Sequence, residues 1–70
     1  MTRTDASDDT RQTLLDAAFR EIHRKGFQAA SLTDILQDTG LTKGALYHHF
    51  PNKHALGLAV IQEVIRGRLE

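Results

Sequence analysis

The chain has 70 residues, of which 40% are hydrophobic and 26% charged, a composition typical of one small globular domain rather than a disordered chain. Cysteine is absent, which excludes disulfides, thiolate zinc sites and a thiol nucleophile. Nine basic residues balance nine acidic ones, and because the sequence has neither an apolar stretch of membrane-spanning length nor a secretory signal, we expect a cytoplasmic protein that does not bind membranes.

The first predicted helix spans about residues 10–25 and follows a polar segment, residues 1–8, that we expect to be a flexible tail. Asp9 is a candidate N-cap, and Gln12 lies three residues later, as in a capping box. Apolar residues then recur at the spacing of one helix face: Leu15, Ala18, Phe19 and Ile22. Gly26 supplies the left-handed residue that commonly ends a helix.

The second predicted helix spans about residues 32–38. Ser31 precedes it and Asp34 lies three residues further on, which is the spacing of a capping box. Gly40 ends this helix, because glycine readily adopts the backbone conformation of a sharp turn. The short connection over residues 39–42, with its central glycine, is typical of a helix-turn-helix.

The third predicted helix spans about residues 43–49, and Pro51 prevents it from continuing. Asn52 is then the N-cap of a fourth helix, which we expect to run over residues 53–70. Alternating apolar runs of strand length are absent. The predicted fold class is therefore all-α: a homeodomain-like three-helix domain over residues 9–52, plus the start of a fourth helix. The predicted core contains Leu15, Phe19, Ile22, Phe27, Ile35, Leu46 and Phe50.

The third helix has two chemically different faces when its residues are placed at about 100° intervals. The apolar face, which we expect to point to the core, holds Ala45, Leu46, His49 and Phe50. The other face holds Lys43, Gly44, Tyr47 and His48. These groups suit the DNA major groove, because a lysine can reach guanine or a phosphate and a tyrosine can contact a phosphate or a thymine methyl. A glycine leaves room for the backbone to approach the bases.

Hydroxyl and ammonium groups also lie at the predicted starts of the helices. Thr42 caps the third helix, Ser31 and Thr33 lie at the start of the second, and Lys53 begins the fourth. Helix N-termini and such side chains are common phosphate contacts. Residues 39–62 contain no acid, so this neutral chain can still present a positively charged face.

A resemblance to a known family rests on the segment Thr42-Lys-Gly-Ala-Leu-Tyr-His-His-Phe-Pro-Asn-Lys53, preceded by Leu32-Thr-Asp-Ile35. Over about residues 10–64 the chain resembles the DNA-binding domain of TetR-family transcriptional regulators. It departs from the common family pattern at Leu36, where alanine is usual. The resemblance implies that the following residues face the operator: Thr42, Lys43, Gly44, Tyr47, His48 and Lys53. It also implies that Ser31 and Thr33 contact phosphates.

The same resemblance implies a repressor that binds double-stranded DNA as a homodimer on an inverted-repeat operator. A small-molecule inducer would bind a larger C-terminal domain that these residues do not include. Apolar side chains surround the fourth helix, more than the small domain could cover. Either that helix leads into the ligand-binding and dimerisation domain, or the chain self-associates through Ile61, Ile65 and Leu69.

Two other functions are weighed against DNA binding. The first is a helical module that docks a partner protein through the apolar fourth helix. The second is catalysis, which we do not expect, because Ser7 and Ser31 lie in no nucleophile motif. Neither a metal nor another cofactor is expected, because His48 and His49 diverge on the helix and His54 has no carboxylate or thiolate nearby.

Overall fold

The computed structural model describes residues 6–67 and contains four helices in that range. They are α1 (Ala6–Lys25), α2 (Leu32–Thr39), α3 (Lys43–His49) and α4 (Lys53–Ile65). No strand occurs between residues 6 and 67, and the predicted all-α helix-turn-helix fold is confirmed.

Helix α1 lies at the centre of the packing, because each of the other three helices contacts it. The core comprises Leu14, Leu15, Ala17, Ala18, Ile35, Leu46, Phe50, Leu56, Ala59 and Val60. Phe19 and Ile22 pack against its edge and are only partly buried. The prediction for Phe27 was wrong, since its side chain is 36% exposed and its ring lies against α4 instead of the centre of the core.

The predicted N-caps of α2, α3 and α4 are confirmed. Ser31, Thr42 and Asn52 each accept a hydrogen bond from the backbone N–H three residues later, at 3.1, 3.1 and 2.8 Å. Gly26 and Gly40 have φ angles of 86° and 72°, the left-handed conformation expected at the ends of α1 and α2. The boundaries between the helices therefore follow from local sequence.

Helix α1 begins earlier than predicted. Asp9 is not its N-cap, because the helix begins at Ala6 and Asp9 lies within the first turn, where a negative charge is favourable to the helix dipole. Gln12 does not complete a capping box but donates to Asp16 Oδ1 at 3.0 Å. Residues 6–8, predicted as part of a flexible tail, are helical, and residues 1–5 lie outside the described part of the chain.

Helix α4 ends at Ile65 rather than at the end of the chain. The backbone N–H of Arg66 donates to the Gln62 carbonyl at 3.1 Å, and Gly67 follows with a φ of 80°. A left-handed glycine at this position is a common way for a helix to end. The longer prediction did not count Gly67 as a stop signal, and Leu69 lies outside the described residues.

An ion-pair network joins α1 to α2. Lys25 Nζ lies 2.8 Å from Asp34 Oδ2 and 3.5 Å from Glu21 Oε1, and Arg24 Nη2 lies 2.8 Å from Glu21 Oε2. The hydrogen bond from Lys25 holds the pKa of Asp34 below its ordinary value. Burial acts to raise the pKa of Glu21, but the hydrogen bond from Arg24 and the positive charges of Arg24 and Lys25 act against it, and the pKa is lowered overall.

A pair of leucine substitutions tests the core. Leu46 is fully buried and Leu58 is 57% exposed. We expect Leu46→Ala to lower the free energy of unfolding by about 2–5 kcal/mol, and the matched Leu58→Ala to change it by less than about 0.5 kcal/mol. Urea unfolding followed by circular dichroism measures both values. Equal losses in the two variants would contradict the burial of α3 against α1.

The ion pair between α1 and α2 predicts a loss of stability in acid. Because the pKa of Asp34 is lowered in the folded chain, its stabilisation is present above the ordinary carboxyl pKa of about 3.9 and is lost as the pH falls through the folded-state pKa. We expect Asp34→Asn to be less stable than the parent at neutral pH, and to lose less stability between about pH 5 and pH 3. The urea midpoint at each pH measures this, and parallel pH profiles would reject the expectation.

Candidate nucleic-acid interface

The turn between α2 and α3 is held by side-chain as well as backbone hydrogen bonds. Thr39 Oγ1 donates to the Leu36 carbonyl at 3.2 Å and accepts from the Leu41 N–H at 3.1 Å. The Gly40 N–H donates to the same Leu36 carbonyl at 2.8 Å. Leu36 and Leu41 both pack against the core, so the larger residue at position 36 is accommodated and the orientation of α3 is fixed at its start.

The two predicted faces of α3 are confirmed. Leu46 and Phe50 are buried against α1, and Ala45 and His49 are half-buried at the edge. The opposite face is exposed and carries Lys43, Gly44, Tyr47 and His48. Tyr47 leaves 47% of its surface exposed, so its ring and hydroxyl are accessible to a binding partner. We call these four residues the recognition face.

Gly44 leaves an open space in the middle of the recognition face. A Cβ atom at this position would meet only Thr42 Oγ1, at an ordinary contact distance of 3.8 Å. The domain itself would therefore accept alanine here, and alanine is the better helix former. The missing side chain gives an approaching molecule access to the helix backbone.

The predicted phosphate-binding hydroxyls lie at the starts of α2 and α3. Ser31 is half-buried, whereas Thr33 and Thr42 are exposed. The caps of Ser31 and Thr42 use the hydroxyl oxygen as an acceptor, so the O–H of Thr42 can still donate to another group, whereas the Ser31 side chain also hydrogen-bonds the Asp34 carboxylate and helps to lower its pKa. The structure therefore places these three hydroxyls at helix N-termini, as the sequence predicts.

Lys53 lies at the start of α4, as predicted, but the residues that its side chain contacts are distant in the sequence. Its Nζ donates to the Gln28 carbonyl at 3.3 Å and lies 4.7 Å from the centroid of the Phe27 ring. Both partners belong to the turn between α1 and α2. Sequence reasoning missed them, because a contact between residues 25 positions apart follows no helical periodicity.

The chemistry of this surface favours an anionic partner. Residues 39–62 contain no acid, so α3 and the turns that flank it carry only neutral and basic side chains. The rings of His48 and His49 lie 5.0 Å apart, but the described residues contain no group of three or more potential ligands that could hold a metal. None of the described helices is both long and apolar enough to span a bilayer.

Comparison with known proteins identifies the family. The profile described as "Bacterial regulatory proteins, tetR family" matches residues 14–60, which is more than half of the chain and includes the whole helix-turn-helix. No solved structure gives a significant match.

Relatives with curated descriptions are named as transcriptional regulators. The chain is 35% identical over 57 residues to the HTH-type transcriptional regulator LmrA of Bacillus subtilis, covering 80% of this chain and 30% of that protein. It is 36% identical over 56 residues to TtgR of Pseudomonas putida, at 80% and 27% coverage. It is 33% identical over 67 residues to the transcriptional repressor KstR2 of Rhodococcus jostii, at 96% and 31% coverage.

The chain thus spans less than a third of the length of each of these relatives. Their names describe regulators of transcription rather than enzymes, and they favour DNA binding over the alternative of a protein-docking module.

Gly44→Ala distinguishes an effect on the stability of the fold from an effect on DNA binding. We expect the variant to be as stable as the parent, or more stable by at most about 1 kcal/mol, because alanine favours the helix. We expect its binding to duplex DNA to weaken by about 1–3 kcal/mol, the usual cost of forcing an extra methyl group into a close contact. Urea unfolding and fluorescence anisotropy measure the two effects. Undiminished DNA binding would show that no partner approaches the backbone here.

Proposed function

Because this chain belongs to the tetR family of bacterial regulatory proteins, we propose that it is the DNA-binding part of a transcriptional regulator. The observation that carries the proposal is the recognition face of α3, which is exposed along its length while the opposite face is packed into the core. A helix held in this way can enter the major groove without disturbing the fold.

The recognition face supplies the contacts that could distinguish one DNA sequence from another. Lys43 lies in the first turn of α3 and reaches guanine O6 and N7 or a phosphate. Tyr47 donates its hydroxyl to a phosphate and lays its ring against a thymine methyl. His48 donates to a phosphate, and the bare backbone at Gly44 lets the helix approach the base edges.

The other proposed contacts are to the DNA backbone and fix the position of α3 in the groove. Ser31 and Thr33 donate from the start of α2, Thr42 from the start of α3, and Lys53 from the start of α4. Such contacts carry no sequence information themselves but set the register of the protein on the duplex. Contacts from the starts of α2, α3 and α4 to the DNA backbone would then keep α3 in the major groove.

For the whole protein we propose a cytoplasmic repressor that acts as a homodimer. Its two recognition helices would read the halves of an inverted repeat, spaced by one helical turn or more. The length of the relatives and the exposed apolar side chains of α4, which are Leu58, Ile61, Val64 and Ile65, support a further domain after α4. That domain would dimerise and bind a small-molecule inducer.

The dependence of DNA binding on salt tests the proposal. In a fluorescence anisotropy titration at about 50 and 200 mM salt, the affinity for duplex DNA should fall steeply, with a log–log slope near −0.9 for each phosphate contact. Tyr47→Ala and Lys43→Ala should each weaken binding by about 1–3 kcal/mol. The control is Gln62→Ala, because Gln62 is exposed near the other end of α4.

The alternative function predicts different results. If the folded chain does not bind DNA at low salt, the proposal fails, and docking of a partner protein through α4 becomes the better explanation. Ile61→Asp would then abolish association with that partner or with a second copy. If Lys43→Ala and Tyr47→Ala both bind as tightly as the parent chain, DNA binding stands but the contacts assigned to these two residues are wrong.

A further inference from the structure

Phe27 lies in the turn after α1, and its ring is held against the first turns of α4. The His54 ring packs edge-on against it, with centroids 5.8 Å apart and an interplanar angle of 79°. On the next turn, a Cβ atom at Gly57 would lie 2.5 Å from Phe27 Cε1, a distance at which one of the two must move. The absence of a side chain at Gly57 therefore makes room for the ring, and α4 sets the position of that ring.

The same ring also contacts the Lys53 ammonium group, which lies 4.7 Å from the ring centroid. A cation over an aromatic face is attracted by the electron density of the ring. The ammonium also donates to the Gln28 carbonyl at 3.3 Å. Both partners are neutral, and no carboxylate forms an ion pair with Lys53 among residues 6–67. Its charge is thus held in place without being neutralised.

The Lys53 ammonium group contacts Gln28, which lies close in sequence to the start of α2. Gln28 is only three residues before Ser31, which caps α2. Lys53 therefore reaches from the start of α4 to the turn that precedes α2, and the exposed Thr33 lies in the first turn of that helix. An ammonium group has three N–H donors, so the bond to Gln28 leaves donors for a phosphate.

We propose that Phe27 is a positioning residue for Lys53, and that it orders the ammonium group for a DNA phosphate before DNA binds. A lysine side chain loses much rotamer freedom when it is immobilised. The ring and the Gln28 carbonyl already restrict the Lys53 side chain in the unbound chain, so it loses less rotamer freedom when DNA binds. The inference rests on the proposed function, since it needs Lys53 to contact DNA.

A double-mutant cycle tests the inference. Phe27→Leu keeps an apolar side chain but removes the aromatic face, whereas Phe27→Tyr keeps the face. We expect Phe27→Leu to weaken DNA binding about two- to fivefold in the chain that has Lys53. In the Lys53→Ala background it should have no further effect. Phe27→Tyr should bind as tightly as the parent.

A spectroscopic measurement on the unbound chain checks the contact itself. Protons on the Cε of Lys53, held over an aromatic face, should resonate upfield of their usual position in the NMR spectrum. The upfield shift should disappear in Phe27→Leu and remain in Phe27→Tyr. Gly57→Ala provides a second route if Phe27→Leu does not fold, because alanine is a better helix former and its methyl group would displace the ring. It too should lose the shift and bind DNA more weakly.

The possible outcomes separate this inference from the proposed function. Equal weakening by Phe27→Leu with and without Lys53 would mean that Phe27 only stabilises the fold, and would overturn the inference. If Lys53→Ala binds like the parent while Tyr47→Ala does not, DNA binding through α3 stands and the inference fails. A parent chain that does not bind DNA at all overturns both.

Discussion

The burial of one face of α1 is the constraint on which the rest of the structure depends. Leu14, Leu15, Ala17 and Ala18 have no exposed surface, and α2, α3 and α4 all pack on this helix. The two alanines keep α1 narrow, so the neighbouring helices can approach closely. Because α2 and α3 both pack against α1, their relative orientation is set by the core as well as by the turn that connects them.

Helix α3 has only seven residues, and one of its faces is buried in the core while the other is exposed. Leu46 and Phe50 anchor it, while the recognition face contributes little to the core. Side chains on that face can therefore change without unfolding the domain. Gly44 is an extreme case, because nothing inside the domain requires its missing side chain.

Helix α4 connects two chemically different surfaces. Its first turn carries Lys53, which contacts the turn between α1 and α2, while farther along it exposes apolar residues such as Ile61 and Ile65. Phe27 contacts both surfaces, since its ring lies under the Lys53 ammonium and also lines an apolar groove with Ile22 and Ile61. The groove between α1 and α4 and the proposed phosphate contact therefore share one side chain.

The all-α fold, the caps at Ser31, Thr42 and Asn52, and the two faces of α3 could all be predicted from the amino-acid sequence. These features depend on residues three or four positions apart, so their signals are local and periodic. The DNA contacts assigned to the recognition face remain predictions. The contacts between residues on different helices became known only from the folded structure. The Phe27 ring lies outside the predicted core and against the Lys53 ammonium, and Glu21 is buried. Contacts between residues far apart in the chain leave no periodic pattern in the sequence.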